Sequence, residues 1–118
     1  MADGYFSRYE SGYSDLTAAL TAEFGTPFYI TSTGGGCMAV EAILENGYLL
    51  ITDAQDILSP MDERIEVQKS GVCYGYAVGI YRTTDSSDDN VAFVADLNAV
   101  TTADVIALVK LAFLEVAK

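Results

Sequence analysis

The pair Asn46-Gly47, set between two runs of alternating apolar residues, constrains this chain more than any other feature. Such a pair is the commonest two-residue connection of a tight β-hairpin, because both positions tolerate the left-handed backbone that the turn demands. Met38, Val40, Ala42 and Leu44 alternate before it, and Leu49 and Ile51 after it. The pattern predicts strands over 37–45 and 48–54, with one face of the hairpin buried. A lone hairpin is marginal in water, so the remaining chain must widen the sheet and cover that face.

The flanking segments supply both. Ser14-Asp15 reads as a helix start, Leu16, Leu20 and Phe24 recur on one face, and Gly25 with Pro27 ends the run, which predicts a helix over 14–24. Phe28 to Thr33 is aromatic and β-branched and reads as a strand, broken by Gly34-Gly35-Gly36. From Gly71 to Arg82, Val72, Tyr74, Tyr76, Val78 and Ile80 alternate with Cys73, Gly75, Ala77 and Gly79. The small-residue face of that strand would let a helix or another backbone approach closely. Asp85 to Asn90 is a polar turn and Val91 to Ala95 a short strand.

Thr101 and Asp104 have capping-box spacing and open a last helix running to about residue 117. That helix is apolar around most of its circumference, so helix one, the N-terminal segment or a second subunit must cover the surplus. Two segments stay open between alternatives. Residues 1–13, with Tyr5, Tyr9 and Tyr13 spaced by four, fit a helix or an extended arm. Ser59-Pro60-Met61-Asp62-Glu63 carries a helix-start pattern, yet Ile65-Glu66-Val67 alternates like a strand.

Together these readings predict one α+β domain over 1–118, with 1–13 as a possible N-terminal arm. Its two layers are an antiparallel β-sheet of about five strands and N- and C-terminal helices packed on one face. The element order resembles the secretion-chaperone-like fold of type III secretion chaperones, over Ser14 to Lys118. That resemblance implies a small acidic homodimer that binds a client protein segment and catalyses nothing; it rests on topology and carries over no functional residues. The Thr33–Cys37 and Leu50–Asp53 segments also look like small uncharacterised proteins of actinobacteria and their phages.

Charge and chemistry narrow the function. Of 118 residues, 17 are Asp or Glu and 6 are Lys or Arg, giving a net charge of −11. Ordinary usage is about 12% for each sign, so the acidity comes mainly from a shortage of bases. It disfavours nucleic acid and anionic membrane surfaces. The chain has no histidine, which excludes a Ser-His-Asp triad and a Cys/His zinc site. Cys37 and Cys73 form no CxxC pair and read as free thiols. The start of the chain lacks a basic-then-apolar leader, and Lys110 and Glu115 interrupt the longest apolar stretch. A cytoplasmic location without membrane insertion is the expectation.

Thr33-Gly34-Gly35-Gly36-Cys37 could offer backbone N–H groups to an anion. It lacks the Walker lysine and helix, however, so a tight turn is the plainer reading. The carboxylates of 53–66 and 85–90 match no calcium-loop spacing. No cofactor or metal is expected. The expectation is a non-enzymatic domain, chaperone-like if the resemblance holds, that binds a protein partner through an apolar patch. Tyr74, Tyr76, Leu111, Phe113 and Leu114 are the candidate partner or dimer interface, with core packing the competing role for the two tyrosines. An inhibitor with an acidic, nucleic-acid-mimicking surface, of phage or defence origin, is one alternative. A small hydrolase or metal-binding enzyme built on carboxylates is the other.

Overall fold

Helices and strands follow one another as α1 (Ala2–Gly12), α2 (Ser14–Phe24), β1 (Tyr29–Gly34), β2 (Cys37–Leu44), β3 (Gly47–Thr52), α3 (Met61–Gln68), β4 (Tyr76–Thr83), β5 (Asp88–Asp96) and α4 (Thr102–Ala117). They are seen in a computed structural model that describes residues 2–34 and 37–117, with side chains from Phe6 onward. The strands form one antiparallel sheet in the order β1-β2-β3-β4-β5, each paired with its sequence neighbour. This is the α+β fold expected, with helices at both termini.

The first segment is a helix, which decides between the two readings of 1–13. α1 and α2 are nearly continuous across Tyr13, whose N–H donates to the Tyr9 carbonyl at 3.0 Å. The Ser14 hydroxyl turns back to the Ser11 carbonyl at 3.0 Å, so it does not cap α2 as expected. Gly12 has a packing role: a Cβ there would lie 2.9 Å from the Met61 Cβ, so glycine lets the start of α3 approach α1. At its other end α2 stops as predicted. Gly25 takes φ 69° and donates its N–H to Thr21, an αL cap.

The hairpin is present, but its glycine acts differently from the expectation. Leu44 pairs with Gly47, leaving Glu45-Asn46 as the connection, and Gly47 has no positive φ. A Cβ at Gly47 would meet the Tyr81 carbonyl oxygen at 1.8 Å, so close approach of β4 requires the glycine. α3 is a helix through Ile65 and Val67, resolving the ambiguity at 59–68. Pro60 occupies its cap position, one residue later than read from the sequence, and the Ser59 hydroxyl donates instead to Asp53.

β4 starts five residues later than the alternation from Gly71 suggested. Gly71 and Gly75 have φ of 82° and 67°, which takes 71–75 off the sheet. A Cβ on Gly75 would come 2.2 Å from the Asp96 carbonyl oxygen. β5 carries a bulge at Val91, since Ile80 pairs with Ala92 and Tyr81 with Asn90. The Asn90 amide donates to the Ile80 and Ala92 carbonyls at 3.2 and 2.9 Å, satisfying groups that the bulge frees.

All helices lie on one side of the sheet. Ile30, Val40, Leu49, Ile51, Val78 and Ile80 from the strands meet Tyr13, Leu20, Val105, Leu108 and Val109 from the helices in one core. Thr101 and Asp104 form the reciprocal cap that their spacing predicted. The Thr101 hydroxyl accepts from the Asp104 N–H at 3.1 Å, and the Asp104 carboxylate accepts from the Thr101 and Val100 N–H groups. Among the described residues no helix is long and apolar enough to cross a membrane.

Candidate interaction surface

The register fixes which residues share the helix-free face. Tyr29, Glu41, Leu50, Gly79 and Phe93 are paired in one row across all five strands. The adjoining row holds Ile43, Tyr48 and Tyr81. Thr31, Ala39, Thr52, Ala77 and Ala95 belong to the row on the other side. Ala39 and Ala77 are buried, yet neither belongs to the helix-covered core.

Of the two readings of the small-residue stripe, close approach by another backbone holds at Gly75, beside Asp96 and Leu97, and the seat for a helix does not hold. Among the described residues no helix lies on this face. A Cβ at Gly79 would touch the Tyr81 ring at 3.0 Å, so the ring folds back over the glycine and fills the gap itself. Tyr48 stacks on Tyr81 from the next strand, with ring centroids 5.1 Å apart and planes at 16°. At the flanks, Ile43 is 59% and Phe93 57% exposed, with Tyr29 also on the surface. Large apolar side chains thus border a packed aromatic centre, with water above them.

Two carboxylates sit within this surface, each bonded to a phenol. Tyr29 donates its hydroxyl to Glu41 at 2.8 Å, and Tyr48 donates to Asp88 at 2.9 Å. Partial burial, then the neighbouring carboxylate, pushes each tyrosine hydroxyl above its ordinary value, so both remain protonated donors at neutral pH.

The residues proposed from sequence distribute unevenly. Tyr76 is 2% exposed and belongs to the core, so it is not an interface residue; its strand face is the one the helices cover. Tyr74 is half-buried in the 71–75 connection, with the Arg64 guanidinium 5.9 Å from its ring. Phe113 is half-buried against Phe24, with centroids 5.9 Å apart, which is intramolecular packing. Leu111 and Leu114 are open to solvent, and with exposed Ala103 and Ala107 they form an outward apolar stripe on α4. Of the glycine loop, Gly35 and Gly36 lie outside the described residues. Cys37 is half-buried, and its carbonyl accepts from the Thr33 hydroxyl at 3.4 Å.

Sequence reasoning missed Arg64, which is 1% exposed. Its guanidinium bonds the Asp53 carboxylate and the Gly75 carbonyl, and lies 3.9 Å from the centre of the Tyr76 ring. Asp53 also accepts from the Ser59 N–H and hydroxyl at 3.2 and 2.6 Å. One group therefore ties together α3, the 53–59 connection and the entry to β4. The available signal was a lone base within the acidic segment Met61–Gln68. Above Asp53 lies an open groove of about 800 Å³, bordered by Tyr9, Ile57, Cys73, Tyr74 and Leu97. Arg8 forms a fork on Asp62 with contacts of 3.0–3.2 Å. Among the described residues no three cysteines or carboxylates converge as a metal cluster would require.

Comparison with family models, with curated proteins and with solved structures finds no match.

Proposed function

We propose that this chain is a non-enzymatic protein-interaction domain whose docking surface is the open face of the sheet. The observation that carries the reading is the row Tyr29–Glu41–Leu50–Gly79–Phe93 with its stacked tyrosine neighbours, an aromatic and aliphatic surface with none of the described helices above it. Sheet faces of antiparallel folds are normally polar when they meet water. Tyrosine and phenylalanine in such a place suit recognition, because they bring large apolar area with little rotamer freedom to lose. The carboxylates of the chain lie on helices as well as strands, which supports a protein-binding surface over a concentrated acidic mimic of nucleic acid.

The outward stripe of α4 is proposed as the contact between two copies. Lys110 there is already paired with Glu23 of its own chain at 3.2 Å, so the stripe can meet itself with little like-charge repulsion. Sedimentation tests this part. Leu114→Glu should leave a folded monomer if the stripe holds a dimer, and a wild-type monomer at tens of micromolar would end the idea.

Phe93→Glu and Ile43→Glu test the docking face. Both positions are more than half exposed, so each variant should keep its folded stability within about 0.5 kcal/mol while losing partner binding. Retained binding in both would contradict the reading.

A further inference from the structure

We propose that the occupant of the open face is an apolar, basic protein segment, one of whose lysine or arginine side chains meets Glu41; this rests on the docking reading above. Glu41 lies inside the row, between Tyr29 of β1 and Leu50 of β3. It is half-buried before any partner arrives. A segment lying across Phe93, Leu50 and Ile43 removes most of its remaining water. The Tyr29 hydroxyl satisfies one lone pair at 2.8 Å but leaves the charge uncompensated. A carboxylate buried without a counter-charge is strongly disfavoured, so a tight occupant brings a cation to it.

Among the described residues the face carries no cation. The chain has six basic residues. Arg8 and Arg64 belong to α1 and α3, Lys69 follows α3, and Lys110 is on α4. Arg82 adjoins Tyr81 on β4 and therefore projects to the opposite side, and Lys118 lies outside the described residues. The second carboxylate, Asp88, bonds Tyr48 and adds to the same sign. Two copies meeting through this face would each bury Glu41 with nothing positive opposite. A polyanion meets the same sign of charge. A basic apolar segment satisfies both the rings and the carboxylates.

The test uses three synthetic peptides of about twelve residues, long enough to cross the sheet. They share leucine and phenylalanine positions and carry lysine, glutamine or glutamate elsewhere. At roughly physiological salt the lysine peptide should bind at least about tenfold tighter than the glutamate peptide, with the difference shrinking as salt rises. Glu41→Gln should weaken the lysine peptide by about tenfold and leave the glutamine peptide nearly unchanged. Equal affinities for the lysine and glutamate peptides, or indifference to Glu41→Gln, would overturn the basic partner. Phe93→Ala, a folded control at an exposed site, separates the two levels. Binding that is charge-indifferent yet lost in Phe93→Ala leaves the docking face standing, whereas binding insensitive to Phe93→Ala removes the face itself. Loss of a wild-type dimer in Phe93→Ala would assign the face to a second copy and end the proposal.

Discussion

Arg64 shows how much one side chain can organise. Its partners Asp53 and Gly75 lie eleven residues away on either side, and the ring beneath it belongs to β4. Burying the pair costs desolvation, so it is not a simple gain, but removing one member leaves the other charge buried alone. Arg64→Met should therefore destabilise the fold by about 3–5 kcal/mol in urea titration, and adding Asp53→Leu should restore much of the loss. A single sequence cannot reveal this pair, because the pattern of α3 is too short to say which side faces inward. Gly75 teaches a similar lesson. Gly75 and Gly25 share a left-handed φ, but only Gly75 faces backbone where a Cβ would go. Gly75→Ala should cost clearly more than the roughly 1 kcal/mol expected for Gly25→Ala.

At the scale of elements, some ends that rest on local chemistry were legible, though the Ser14 cap was not, and what rests on contact was harder to read. The Thr101–Asp104 cap and the Gly25 stop follow from groups within one turn of the chain. Thr101→Ala should cost about 1 kcal/mol in thermal or urea unfolding. The backbone N–H groups of Thr101 and Val100 hold the Asp104 carboxyl below its ordinary pKa. A folded value lowered in this way stabilises the fold fully above the unfolded value of about 3.9, and the gain disappears as pH falls through the folded value. Asp104→Asn should accordingly flatten part of the loss of stability seen below about pH 4. The start of β4 was misjudged because alternation continued through 72–76, while two glycines in left-handed conformation took the chain off the sheet. Gly47 marked the hairpin for a reason that only the neighbouring strand reveals.

For the molecule as a whole, alternation in the sequence showed that the sheet has two different faces but not which one the helices cover. Small residues on β4 suggested close approach by a helix or another backbone; Tyr81 closes over Gly79, backbone approaches Gly75, and the helices occupy the side of Tyr76, Val78 and Ile80. The proposed interface divided along the same line: Leu111 and Leu114 are exposed, and Tyr76 is inside. The core role weighed for Tyr76 implied that the opposite face is open, but the aromatic row on that face emerges only once all five strands are in register. The central claim is that this face receives an apolar, basic segment. The most direct measurement is amide chemical-shift mapping of the ¹⁵N-labelled chain during titration with the lysine peptide. The account predicts saturable shifts grouped on Tyr29, Glu41, Leu50, Tyr81 and Phe93. Shifts confined to the outer stripe of α4, or to the groove beside Tyr9 and Tyr74, would contradict it.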